Sequence, residues 1–99
     1  MFVSLNAVTA TGAGSELETP VSENYTIQLK HTGSPTSVIV DVEGSVNGRD
    51  WVQVAQHTMA ASDDMFHVAG KPLRNIRLNL TTLSGGSSPT VTGLILTKL

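Results

Sequence analysis

Short runs of alternating apolar and polar residues, each closed by a turn-forming cluster, constrain this chain more than any other feature. Tyr25, Ile27 and Leu29 alternate with Thr26, Gln28 and Lys30, and Val38, Val40 and Val42 with Ile39, Asp41 and Glu43. The same period of two passes through Val52 and Val54, through Phe66 and Val68, and through Ile76, Leu78 and Leu80. Successive side chains of a strand point to opposite faces, so such a segment buries one face and wets the other. The apolar residues just named are therefore the expected core. A helical period of 3.6 is nowhere convincing. The nearest candidate, residues 55–65, contains Thr58, Ser62 and two aspartates and reads as a loop following a strand.

The turns have physical causes. Clusters at 11–15, 31–35, Asn47-Gly48, 62–64, 70–72 and 84–89 supply glycine for positive φ, proline for a fixed φ, and Asn, Asp or Ser side chains that bond their own backbone. Phe2–Thr9 and Thr90–Lys98 also read as strands. About seven strands at this spacing predict an all-β, antiparallel, jelly-roll-like sandwich with essentially no helix. The composition agrees: 12 Thr, 11 Val and 4 Ile are β-branched and suit pleated strands. The 99 residues make a single domain, 1–99. Residues 11–23 read as a flexible loop, or as the hinge of an arm formed by the first strand. Asn47-Gly48 favours a tight hairpin turn with both central residues at positive φ, and the Arg49-Asp50 pair after it lengthens the loop or makes a bulge. With Trp51, Asn47 and Gly48 are the expected structural anchors.

Composition excludes several function classes. Six Lys and Arg against eight Asp and Glu give a net charge of -2, the wrong sign for phosphate neutralisation, so no nucleic acid is expected. Without cysteine there is no disulfide framework, thiolate metal site or cysteine nucleophile. No apolar run nears the roughly 20 residues that span a bilayer, and the opening residues lack a signal-peptide pattern. His31, His57 and His67 fall on different expected strands without ligand spacing, and Asp63-Asp64, even with Asp41 and Glu43, do not make a spaced calcium loop. No serine lies in Gly-x-Ser-x-Gly, and Gly85–Ser88 are followed by neither lysine nor helix. Asp41 and Glu43 are expected to face water. The chain is thus read as a non-enzyme without metal or organic cofactor.

Two resemblances carry the functional reading. The stretches VIVDVEGSVNGRDWVQVAQHT (38–58) and FHVAGKPLRNIRLNL (66–80) resemble the strand, Ser-x-Asp-Gly-x-x-Trp, strand and later Arg-Tyr-Ile-Arg-Leu pattern of discoidin, or galactose-binding-like, jelly rolls. Asn47 stands where that family often has Asp, and Asn75 where it often has Tyr. This resemblance implies a β-sandwich. The whole chain, through VSLNAVTATGAGSELE (3–18), TGSPTSVIVDVEGSVNGRDW (32–51) and LTTLSGGSSPTVTGLIL (80–96), is similar to small structural proteins of tailed-phage virions. That similarity implies a virion protein assembled in the bacterial cytoplasm. It would decorate or cement the capsid by binding the major capsid protein or another virion protein and copies of itself as a homo-oligomer. The alternative is a carbohydrate-binding sandwich on a virion surface or tail, with Trp51 as stacking platform. The expected contact residues are Phe2, Val3, Leu5 and Val8 of a mobile N-terminal strand, and a small basic patch of Arg74 and Arg77 beside Lys71. An arm of that kind would add to a neighbour's sheet edge.

Overall fold

The computed structural model describes residues 1–18 and 23–98, and all of its regular structure is extended. Eight strands follow one another: β1 (Phe2–Val8), β2 (Gly12–Glu18), β3 (Asn24–Thr32), β4 (Ser37–Ser45), β5 (Val52–Thr58), β6 (Asp63–Val68), β7 (Asn75–Ser84) and β8 (Thr90–Lys98). One sheet has the order β1-β8-β3-β6 and the other β2-β7-β4-β5. This is the jelly-roll order. Strands β1, β2, β3 and β4 pair antiparallel with β8, β7, β6 and β5, as though one long hairpin had been rolled up. Its tip is the β4–β5 connection at Asn47-Gly48, the pairing most local in sequence.

The eighth strand was hidden in the expected loop. Residues 12–18 pair with β7 instead of forming a mobile hinge, and Thr19–Ser22, also in that expected loop, lie outside the described residues. Glycine misled the sequence reading here. At Gly14 a side chain would run into the Ser4 carbonyl, so this glycine is needed for close packing of β1 on β2. The segment expected to loop after β5 is likewise mostly strand, leaving only residues 59–62 to carry the chain from one sheet to the other.

The core lies between the sheets. Tyr25, Ile27, Leu29, Val38, Val40, Val42, Val68, Ile76, Leu78 and Leu80 are buried as alternation requires, together with Leu5, Val91 and Ile95. Val52 is a correction: it is 65% exposed. Val54 and Phe66 are only half-buried. These three belong to β5 and β6, the outermost strands on one side of the sandwich, where the opposing layer runs out. A register shift between Val42 and Glu43 further disturbs the β5 alternation.

The hairpin turn also differs from expectation. Gly48 has φ +80°, but Asn47 is not among the positive-φ residues. Its side chain organises the turn: Oδ1 accepts from the Arg49 and Asp50 N–H groups, both at 2.9 Å, and Nδ2 donates to Asp50 at 2.7 Å. An Asx-type turn thus closes the connection, which Arg49 and Asp50 lengthen beyond two residues.

Candidate functional site

The N-terminal strand is not an arm. β1 pairs with β8 of its own chain, Leu5 sits in the core and Phe2 and Val8 pack against it. Only Val3 among the expected contact residues of β1 points to an outer surface and is substantially exposed. Of the residues expected to form a basic patch, Lys71 and Arg74 are exposed in the loop before β7 and Arg77 is half-buried. Arg74 lies in the loop before β7, where its N–H donates to the Ser45 carbonyl. Arg77 lies on β7 itself, and its Nε donates to Glu43 at 2.7 Å.

The outer face of the second sheet is polar and internally paired. Glu43 accepts from both Arg77 and Asn79, and the Arg77 guanidinium lies 4.1 Å from the Trp51 ring centre. Asp41, expected in water, is buried and accepts from Gln56 at 2.8 Å. Glu43 is similarly withdrawn, because the long neighbouring side chains fold over both carboxylates. One side of the Trp51 ring is therefore occupied.

The first sheet presents the opposite chemistry. Cross-strand register sets Val3 beside Leu94, Leu94 beside Gln28 and Gln28 beside Met65. The adjoining row carries Leu96, Thr26 and His67, with the Thr26 hydroxyl and His67 Nδ1 hydrogen-bonded at 3.0 Å. Leu96 and Met65 are each 56% exposed. Together with Met1, Leu94, Thr26 and Gln28 they line one open depression on this face. The missed clue was Leu94-Ile95-Leu96. Three consecutive apolar residues in a strand put apolar side chains on both faces, which normally requires both to be covered.

The histidines are dispersed. His57, at the open side of the sandwich, bonds Asp64 at 2.8 Å and stacks on Phe66 with ring centres 4.5 Å apart. That hydrogen bond, reinforced by the Ala60 N–H, holds the Asp64 carboxyl below the usual carboxylate range. His31 has a buried Nδ1 without a partner. Among the described residues no cluster of three or more His, Cys, Asp or Glu is placed to hold a metal ion.

No family model matches the sequence, and no curated protein matches it. Solved structures do share the fold. The SPBc2 prophage-derived protein YomS is similar with a TM-score of 0.67 at 16% identity, covering 98% of this chain and 90% of that one. PirA is similar with a TM-score of 0.56 at 12% identity, covering 89% and 82%.

Proposed function

We propose that this chain is a phage virion structural protein that decorates or cements the capsid through contacts with the major capsid protein and with its own copies. The observation that carries the proposal is the fold shared with a prophage-derived protein over nearly the full length of both chains. The first sheet's outer face supports it, because a single domain that leaves Leu94, Leu96 and Met65 together in water has a surface suited to a protein contact. The protein would be made in the host cytoplasm and end in the virion. The carbohydrate alternative has less support, since Arg77 already covers one face of Trp51. The test is quantitative mass spectrometry of purified virions with co-sedimentation on undecorated capsids. Copy number at the level of the head lattice and saturable capsid binding are expected. Absence from virions would overturn the proposal.

A further inference from the structure

The Asn47-Gly48 pair at the tip of the β4–β5 hairpin carries chemistry that neither the fold nor the proposed function uses. An asparagine followed by glycine is open to intramolecular attack, because no side chain on the second residue shields its backbone nitrogen. Here hydrogen bonds hold the reacting groups. The Gly48 N–H donates to Ser45 Oγ at 2.8 Å, and the same hydroxyl donates to Asn47 Oδ1 at 3.1 Å. The attacking nitrogen and the amide oxygen are therefore joined through one side chain. Oδ1 also accepts from the Arg49 and Asp50 N–H groups, and these two backbone donors fix which end of the amide is oxygen. At the other end Nδ2 donates to Asp50 Oδ2. Asn47 is exposed, so water reaches it, whereas Ser45 is buried.

From this geometry we infer that Asn47 is a self-modification site, converted to aspartate and isoaspartate by the folded chain itself. Gly48 N bonds to Asn47 Cγ while its proton passes to Ser45 Oγ and the Ser45 proton passes to Oδ1. Ser45 is the proton relay. The donors around Oδ1 stabilise the charge that gathers there in the tetrahedral state, as an oxyanion hole does. The Cγ–Nδ2 bond then breaks, the proton on Oδ1 moves to Nδ2 through solvent water, and ammonia leaves behind a succinimide ring. Water opens that ring: attack at Cγ gives aspartate, and attack at the main-chain carbonyl gives isoaspartate. Carbon oxidation states are unchanged, and water is the only reactant consumed. In an unfolded chain neither the relay nor the donors are assembled, so folding speeds the reaction. The product turn differs from the starting one. In aspartate the new carboxylate faces Asp50 where Nδ2 had donated, and an attraction becomes a repulsion between like charges. Isoaspartate instead lengthens the main chain by one carbon. The hairpin tip thus keeps a one-way chemical record of the age of the folded protein.

Mass spectrometry of the full chain during incubation at neutral pH tests this, with peptide mapping to separate aspartate from isoaspartate at position 47. The folded chain should gain the mass of an amide turned carboxyl at Asn47 faster than the same chain unfolded in guanidinium. Ser45→Ala should lower the folded rate at least about tenfold, the modest end for a positioned acid–base group because solvent substitutes in part. Ser45→Thr, which keeps the hydroxyl, should restore it. Should Ser45→Ala fold poorly, Asp50→Ala at an exposed position takes its place. Freeing Nδ2 lets the amide turn away from the relay, and the rate should fall severalfold. A folded wild type that keeps Asn47 intact as long as the unfolded chain, or longer, overturns the inference. So does a folded variant of either kind that converts at the wild-type rate. Virion copy number and capsid binding have no bearing on these outcomes, so the two proposals fail separately.

Discussion

Ser4 of β1 accepts a hydrogen bond from the backbone N–H of Leu78 on β7 at 3.0 Å, joining the two sheets through one side chain. Its hydroxyl donates in turn to the Ser15 carbonyl of β2 at 2.8 Å. The bond lies where β2 and β7 lose register between Ala13 and Glu16, so the serine supplies the acceptor that the bulged strand does not. Buried backbone N–H groups almost always have partners, and this one is satisfied from the other sheet.

Ser4→Ala should therefore leave the Leu78 N–H buried and unpaired, lowering stability by about 1–3 kcal/mol. Ser87→Ala, at an exposed turn, should change it by no more than about 0.5 kcal/mol. Urea denaturation of both variants checks this, and equal midpoints would contradict the clasp.

Deleting residues 1–10 should damage the fold itself. The truncation removes an edge strand of the first sheet, the Leu5 side chain at 1% exposure and the acceptor for Leu78. The expected outcome is a loss of cooperative thermal unfolding in circular dichroism. A truncated chain that melts like the full one would restore the arm reading.

Ile27→Ala should destabilise by about 2–5 kcal/mol, the usual cost of emptying a filled core site, because Ile27 is wholly buried. Val52→Ala should fall within about 0.5 kcal/mol despite the same alternating pattern in sequence. Urea midpoints distinguish the two, and a large loss at Val52 would mean that β5 is covered in solution.

Asp64 gives the fold an acid-sensitive tie between β5 and β6. Its folded carboxyl titrates below the unfolded one because His57 and the Ala60 N–H stabilise the charged form. The contribution is thus present above the unfolded carboxylate range and is lost as pH falls through the lower, folded value. Urea midpoints between pH 6 and pH 2.5 should fall more steeply for the wild type than for Asp64→Asn. Parallel curves would show that the His57 contact has no energetic consequence.

Alternation within single segments was enough to define the central strands. Tyr25, Ile27 and Leu29, or Ile76, Leu78 and Leu80, carry a side-chain period that burial against any second layer satisfies, so an antiparallel sandwich was legible before its topology was known. The apolar outer face was legible only in part. Leu94-Ile95-Leu96 announces a strand apolar on both sides, but nothing local shows that Met65, some thirty residues away in sequence, completes the patch.

The sequence by itself determined the strand period, the turn positions and the inward residues of the interior strands, because these depend on backbone geometry repeated over a few residues. Only the tertiary structure decided which strands became edges, and so left Val52 in water and Phe66 half-covered under the same pattern. It also turned Gly12–Glu18 from an apparent hinge into β2, since a glycine that permits motion and one that permits close packing look alike until the neighbouring backbone is in place. Charge followed the same rule. Glu43, Arg77 and Trp51 are separate surface residues in the chain, and β4–β7 pairing with the return of the hairpin makes them one closed network. Long-range pairing sets these environments, and local sequence does not encode which distant segment will arrive.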